Sequence, residues 1–422
     1  MQRFDPANTG HNPNGTPLKG DVGILAKVDA PVFPTEDYLL SDGTAYIHTD
    51  DNEIGAVDVE TGEVQWMTET LSSLTIPEFF NGDHLVARSI DEAGYVFDRA
   101  SGSVASEPTF GRGTGLGYDG QNRWFAPRAD GTLTAGEIGS DEPLWETPLG
   151  GIGLLPAVSN QRVYVATIHD TDFDELQYET PTEMDAEGRL YALDASDGSV
   201  VWEVSRERFG IEPPAVHDGT VYWTGTDGNL VAYDAGTGEK QWEFSTDRSF
   251  HTPPAVADGT VVAGNDAGRI YALDSESGDE IGAVQTDGRV RGGPVVVDDV
   301  VYCGSDDNTV YAIGLGSGET LWEFKTGDSI RALSAGQNRV LVGTHSGMYV
   351  LGPRSQIPAE DAASRETKSD GRGPAESDQQ RGFLTNDADS SLAFLEDPVT
   401  LTWAGIGVSI AGIVIQLLGR QT

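Results

Sequence analysis

The stretch Ala232-Tyr233-Asp234-Ala235-Gly236-Thr237-Gly238-Glu239-Lys240-Gln241-Trp242 carries the pattern that decides the fold. The same pattern returns at 56–66, and shorter forms run at 194–202 and 314–322. The first turn residues are 39 or 40 positions apart, except for one step of 57, and they are Asp58, Asp98, Glu137, Asp194, Asp234, Asp274 and Gly314. A fixed period of this length indicates a repeat architecture, and the long step indicates an insertion of roughly seventeen residues.

Each repeat reads as four short strands joined by tight turns. In the clearest copy, runs rich in Val, Tyr, Trp and Thr occupy 213–216, 220–224, 229–234 and 240–244, with Asp-Gly or Thr-Gly pairs between them. This alternation predicts antiparallel hairpins, and no repeat has helical spacing. A four-stranded unit that cannot bury its own faces, repeated around an axis, gives an all-β propeller.

The number of blades follows from seven complete copies and one incomplete copy. The incomplete copy begins at Arg331, continues through 339–343 and 348–351, and lacks a fourth strand. Residues 24–28 form an isolated strand-like run near the start of the chain, and pairing them with the last copy would remove two open sheet edges. We therefore predict an eight-bladed propeller of four-stranded antiparallel blades, closed by an N-terminal strand, with seven blades as the alternative.

The pattern Ala-x-Asp-x-x-Thr-Gly-x-x-x-Trp resembles the tryptophan-docking motif of the quinoprotein-type propellers, whose units are called PQQ-like repeats. The resemblance spans residues 23–352, and the chain is similar to the non-catalytic, BamB-like branch of this family. It implies that four indole rings dock on the turn of the neighbouring blade, namely Trp66, Trp202, Trp242 and Trp322. Ser106 and Gly282 depart from the motif, so blades 2 and 6 are expected to be held less firmly.

The composition is strongly acidic. The chain has 68 Asp and Glu against 26 Lys and Arg, a formal net charge of -42, and only five lysines. Such a surface is typical of proteins from salt-saturated cytoplasms, where like-charge repulsion is screened, so we predict a halophilic archaeal source. Because no basic stripe exists to neutralise phosphates, nucleic acid is not expected as a partner.

The chain offers little for metal or redox chemistry. Cys303 is the single cysteine, which excludes an intramolecular disulfide, and its strand-like surroundings predict a small buried hydrophobe. In the insertion, Asp170-x-Asp172-x-Asp174 resembles the start of a calcium loop, but Glu175 and Pro181 stand where Gly and Glu are required. We therefore predict no metal site and no cofactor, and read the insertion as a solvated acidic loop or a partner-binding lip, with a weak cation site as the alternative.

The repeats end after Gly352, which divides the chain into four parts. Residues 1–22 form an N-terminal extension, 23–352 the propeller, and 353–398 a polar linker whose composition predicts disorder. Residues 399–418 carry no charge, and twenty helical residues span about 30 Å, so we predict a transmembrane helix. A helix docked on the propeller is the alternative.

The side of the membrane follows from weaker signals. The start of the chain has no apolar stretch that could serve as a secretion signal, which favours a cytoplasmic tail-anchored protein. In contrast, acidic residues precede the span and Arg420 follows it, which places the propeller outside. Residues 5–10 also resemble the opening segment of the family, which a signal sequence usually precedes. We expect a single-pass protein of the cell membrane with an extracytoplasmic propeller.

The loops that join the last strand of one blade to the first strand of the next line one mouth of the channel, and several carry basic residues. His251, Arg291 and Arg331 are forty residues apart and so occupy equivalent places in three consecutive blades. The candidate ligand-binding residues of this rim are Arg248, His251, Arg289, Arg291 and Arg331, with Arg206 and Arg208 in an equivalent loop. Together they suit an anion such as a carboxylate, a phosphate or an acidic peptide segment. The alternative is that they neutralise neighbouring carboxylates.

These features favour a membrane-tethered, non-catalytic propeller that binds a protein or peptide partner through its loop face. One alternative is a PQQ-dependent dehydrogenase, which the resemblance associates with PQQ, Ca²⁺, a catalytic Asp and a disulfide of adjacent cysteines that this chain cannot form. Another is an anion-binding sensor, which is disfavoured because only four residues follow Leu418.

Overall fold

The computed structural model describes residues 5–13, 15–28, 38–49, 52–70, 75–89, 93–113, 115–140, 142–169, 186–207, 212–344 and 347–357. These residues form eight sheets, each with four antiparallel strands, and two of the sheets carry a short extra strand. Seven sheets use four strands that follow one another in the chain, and the eighth combines the last three strands with one from the start of the chain. The predicted eight-bladed β-propeller is confirmed, and the seven-bladed alternative is wrong. Within the described ranges no helix is long and apolar enough to cross a membrane. The first residues of the predicted linker, 353–357, are described, whereas 358–398, the predicted span and the acidic triplet of the insertion lie outside the described ranges.

The chain begins with two strands that precede the first blade, β1 (His11–Asn12) and β2 (Val22–Val28). Blades 1 and 2 contain β3 (Leu39–Ser41), β4 (Thr44–His48), β5 (Glu53–Asp58), β6 (Val64–Glu69), β7 (Thr75–Asn81), β8 (His84–Ser89), β9 (Gly94–Asp98) and β10 (Val104–Ser106). Blades 3 and 4 contain β11 (Gly117–Tyr118), β12 (Arg123–Pro127), β13 (Thr132–Glu137), β14 (Trp145–Pro148), β15 (Ile152–Gly153), β16 (Ala157–Ser159), β17 (Arg162–Ile168), β18 (Glu187–Asp194) and β19 (Val200–Glu207).

Blades 5 and 6 contain β20 (Ala215–His217), β21 (Thr220–Thr224), β22 (Asn229–Asp234), β23 (Lys240–Ser245), β24 (Ala255–Ala257), β25 (Thr260–Gly264), β26 (Arg269–Asp274) and β27 (Glu280–Gln285). Blades 7 and 8 contain β28 (Val290–Val297), β29 (Val300–Ser305), β30 (Thr309–Gly314), β31 (Thr320–Lys325), β32 (Ile330–Gly336), β33 (Arg339–Thr344) and β34 (Gly347–Pro353). A short 3-10 helix follows at Arg354–Gln356.

The ring is closed by the start of the chain. Strand β2 pairs antiparallel with β34, from Val22 opposite Pro353 to Val28 opposite Met348. It therefore supplies the fourth strand that the last repeat lacks, as the isolated run at 24–28 predicts. Closure in this way pairs two sheet edges that would otherwise be open.

Tryptophan side chains join successive blades. The indole Nε1 atoms of Trp66, Trp202 and Trp242 donate to the backbone carbonyls of Arg99, Ala235 and Ser275 at 2.9, 3.0 and 3.0 Å, each in the next blade. Trp322 donates to the Leu18 carbonyl, just before β2, at 2.8 Å. Trp145, which the sequence analysis did not single out, makes the same bond to Ala195 at 3.1 Å. The cores accordingly lie between blades, where each ring packs against residues of its neighbour.

Residues before β2 cross the inner strands at the mouth opposite the basic rim. The carbonyl oxygens of Pro6, Ala7, Thr9 and Gly10 accept hydrogen bonds from the Val158, Val216, Val256 and Val296 amides at 2.6–2.8 Å. These four valines hold equivalent places in blades 4 to 7. The segment thereby satisfies inner-edge donors that face the channel, one blade after another.

Candidate functional site

The three rim residues that are forty apart lie at the same place in consecutive blades. Arg291 and Arg331 each stand where the first strand of a blade shifts register, between Val290 and Gly292 and between Ile330 and Ala332. His251 follows the bridge that pairs Phe250 with Asn265. Register shifts of this kind leave a residue unpaired and locally change the direction of its side chain.

Acidic residues from the turns between second and third strands face these cations. Asp266 Oδ2 lies 3.2 Å from His251 Nε2, and Asp266 Oδ1 lies 3.3 Å from Arg291 Nη2 of the next blade. Asp306 repeats the arrangement one blade further on, 3.5 Å from Arg331 Nη2. The structure therefore brings all three predicted cations together with carboxylates, and two of these contacts join adjacent blades.

The pairing leaves buried polar atoms unused. The side chains of His251 and Arg291 are 1% and 3% exposed. Even so, His251 Nδ1, Arg291 Nε and Nη1, and Thr252 Oγ1 have no hydrogen-bond partner among the described residues. Buried donors of this kind are unfavourable unless an acceptor satisfies them.

The electrostatics of the cluster shift the pKa values of Asp266 and Arg291. Burial alone would raise the pKa of Asp266, but His251, Arg291 and Arg289 outweigh it, and the pKa lies below its usual value. Burial lowers the pKa of Arg291, while Asp266 and Asp306 oppose this shift. A carboxylate from a partner would meet a guanidinium in a poorly solvated place, where a charge-assisted hydrogen bond is strong.

The remaining predicted rim residues differ in what they contact. Arg248 and Arg289 are exposed at the loops that lead into blades 6 and 7. Arg206 is 10% exposed, and its Nη2 lies 2.5 Å from Asp227 Oδ2, while its guanidinium covers the Trp223 ring. Arg206, in blade 4, is therefore already paired with residues of blade 5. Arg208 lies outside the described residues.

A second charged cluster was missed by the sequence analysis. Arg88 is 1% exposed and donates to the carbonyls of Gly111, Gly115 and Pro127 at 2.7–3.1 Å. Its electrostatic partner is Glu78, also 1% exposed, whose pKa burial raises to about 7 against the pull of Arg88. The sequence of the glycine-rich run at 111–117 does not indicate a nucleotide site, and its carbonyls contact the Arg88 guanidinium. A Cβ on Gly113 would meet the Pro127 carbonyl and the Arg88 side chain. Only the spacing of glycines hinted at this loop.

A quinone cofactor held with calcium would need a cluster of metal-binding side chains. Within the described ranges no three His, Cys, Asp or Glu side chains gather closely enough to hold a metal ion. Cys303 is buried in β29, and burial raises the pKa of its thiol.

An eight-bladed ring of four-stranded blades with indole docking defines a propeller of PQQ-like repeats. The chain belongs to the family described as outer membrane protein assembly factor BamB, whose model matches residues 26–107, 129–252 and 227–362. No curated protein matches the sequence significantly.

Several solved structures share this fold. BamB from Moraxella catarrhalis is 15% identical with a TM-score of 0.59, and the match covers 80% of this chain and 99% of that one. The quinohemoprotein alcohol dehydrogenase from Comamonas testosteroni is 14% identical with a TM-score of 0.66, covering 85% and 81%. The computationally designed Ika8 protein is 16% identical with a TM-score of 0.63, covering 80% and 99%. Since these include enzymes and other propellers, the likeness concerns fold alone.

Proposed function

We propose that this chain is a non-catalytic propeller that binds a protein or peptide partner through the loop face of blades 6 to 8. The observation that carries the proposal is the cluster of buried, unused donors on His251, Thr252 and Arg291 at the channel mouth. An acidic side chain or C-terminal carboxylate of a partner would satisfy them. The exposed Arg248 and Arg289 would add attraction at the rim. The family description, an assembly factor, supports a protein as the partner.

The proposal includes a membrane tether. Residues 399–418 carry no charge and are long enough for one span, and the polar residues 353–398 would give the propeller reach. Arg420 after the span favours an extracytoplasmic propeller. A tether of this kind would raise the local concentration of the propeller near membrane-bound partners.

A small free anion is the second candidate ligand, since the same donors would bind it. The two candidates differ in size. A peptide would also contact the exposed arginines, whereas a small anion would reach only the buried donors.

The test is a binding titration with full-length protein in detergent at several salt concentrations. The probes are a fluorescent glutamate-rich peptide, its glutamine counterpart, acetate and phosphate. We expect the acidic peptide to bind, and the variant Arg248→Ala/Arg289→Ala to weaken it about tenfold. The matched control is Arg269→Ala. Arg269 lies on the third strand of blade 6, its side chain is 43% exposed, and it pairs with Glu280.

The triple variant His251→Ala/Arg291→Ala/Arg331→Ala should abolish binding of either probe class. Peptide binding that is unchanged in both rim variants would refute the loop-face proposal. Binding of acetate or phosphate but not of the peptide would replace the scaffold with the small-anion candidate. Circular dichroism of each variant separates lost binding from lost folding.

A further inference from the structure

The docked indoles share one kind of receiving site, which we name the tryptophan slot. It consists of the turn between the third and fourth strands of a blade and includes the backbone carbonyl of the second residue of that turn. In the slot of blade 6, Trp242 donates to the Ser275 carbonyl, and a Cβ built on Gly278 would lie 2.6 Å from Trp242 Cδ2. The slot of blade 5 holds Trp202 against Gly238 in the same way.

The slot of blade 7 has the same construction but receives no ring from the part of the chain that the structure describes. Gly318 donates to the Gly314 carbonyl at 2.8 Å with φ of 67°, as Gly278 donates to Asp274 at 2.9 Å with φ of 76°. The preceding blade, however, contributes Gly282 where blades 1, 3, 4, 5 and 7 contribute tryptophan. A Cβ added to Gly282 or Gly318 would meet no atom within 4 Å.

The other blade interfaces without a docking tryptophan are closed by different means. Ser106 replaces the ring in blade 2, but Phe110 and Trp124 fill that interface, with ring centroids 5.1 Å apart. Between blades 8 and 1, a Cβ on Gly62 would meet the Ala26 side chain directly.

No such substitution occurs between blades 6 and 7. The second residue of the second strand, which is Trp124 in blade 3, is Val301 in blade 7, and the buried cluster at this interface contains neither Trp nor Phe.

The open slot is apolar and reaches the surface. Its lining includes Val284 from blade 6 and Ile313 and Leu315 from blade 7. Leu321, on the fourth strand of blade 7, is 42% exposed, and its Cδ2 would lie 3.8 Å from a Cβ on Gly314 in the receiving turn. The slot therefore offers an apolar wall, a bare glycine and the Leu315 carbonyl, which stands forty residues after Ser275.

We propose that the slot of blade 7 binds the indole ring of a tryptophan from a partner protein. The filled slots of the same molecule show the chemistry that fits: the ring lies on the turn glycine, and its N–H donates to the carbonyl. In the open slot the ring would lie on Gly318 and donate to Leu315. This site goes beyond the loop face, because it lies on the outer side of two blades and needs no charged partner.

The test is fluorine NMR of a short glycine-serine peptide carrying one fluorotryptophan, titrated with full-length protein in detergent. The matched peptide carries a fluorophenylalanine. We expect saturable binding of the indole peptide at one site per chain, and binding of the phenyl peptide at least about tenfold weaker because it lacks the N–H donor. The Gly282→Trp variant should reduce indole binding about tenfold or more, whereas Gly282→Ala should leave it unchanged.

A converse variant protects the test against folding defects. Trp242→Gly should open the slot of blade 6 and raise the stoichiometry from one to two per chain, measured below its melting temperature. Binding that Gly282→Trp leaves unchanged, or no binding to the wild type, would overturn the proposal. If the indole peptide binds only to the Trp403→Phe variant, the slot is occupied by the tail of this chain. That result would also overturn the proposal that a partner protein occupies it. Neither result bears on the arginine variants of the loop face, so the two proposals fail separately.

Discussion

Replacing Gly282 with tryptophan should stabilise the propeller, because the receiving slot is already built. Gly282 lies in β27 outside the positive-φ residues, so a side chain meets no backbone strain there. An added Cβ meets no atom within 4 Å. The new ring would face the glycine turn and the Leu315 carbonyl, as Trp242 faces Gly278 and Ser275.

The size of the effect follows from the filled slots. Trp66, Trp202 and Trp242 are 8–9% exposed, so a docked indole is about nine-tenths buried. Burying about 200 Å² at about 25 cal/mol per Å² corresponds to about 5 kcal/mol. Compactness of the unfolded chain and ordering of the side chain remove roughly half, and the N–H bond returns about 1 kcal/mol. We expect a net gain of about 3–4 kcal/mol.

The assay is equilibrium unfolding in guanidinium chloride, followed by tryptophan fluorescence and circular dichroism, with thermal melting alongside. The control is Ile281→Trp, one residue away at a position 55% exposed, which adds the same ring without a slot and should change stability by less than about 0.5 kcal/mol. Hydrogen exchange should slow in β27 and in the 314–318 turn of Gly282→Trp alone. An unchanged or lowered midpoint for Gly282→Trp, with folding intact, would refute the claim that the slot is preformed.

The buried Glu78 and Arg88 of blade 2 support two further predictions. Arg88→Met should lower the free energy of unfolding by about 3–5 kcal/mol and speed hydrogen exchange across 111–117, because three carbonyls and Glu78 lose their cation. The control Arg269→Met breaks a half-exposed ion pair and should lower the free energy of unfolding by less than about 1 kcal/mol. Equal losses in the two variants would contradict this prediction. The pKa of Glu78 rises from 4.5 to about 7 on folding, so the folded chain binds more protons than the unfolded chain between these pH values. The free energy of unfolding should therefore fall as pH rises from about 4.5 to 7. Thermal melting at several pH values should show a smaller dependence on pH for Glu78→Gln.

The sequence alone determined the repeat and most of what depends on it. Turn residues at a forty-residue period, with tryptophan eight positions after the first, predict four-stranded blades, and the isolated run at 24–28 predicts how the ring closes. These inferences succeed because hairpin turns and strand alternation are local properties of the chain. The same period also predicts that His251, Arg291 and Arg331 share one rim.

Only the tertiary structure decided what each rim residue contacts and which gaps are filled. The repeat marks both Ser106 and Gly282 as missing a tryptophan, yet Phe110 and Trp124 close the first interface while the second stays open. Likewise, nothing in the period shows that Asp266 lies between His251 and Arg291, or that Glu78 and Arg88 are buried together. The Asp266–Arg291 contact joins two blades, and Arg88 donates to carbonyls that lie beyond its own repeat. The physical reason is therefore that these contacts depend on how neighbouring sheets and loops pack rather than on the pattern within any one repeat.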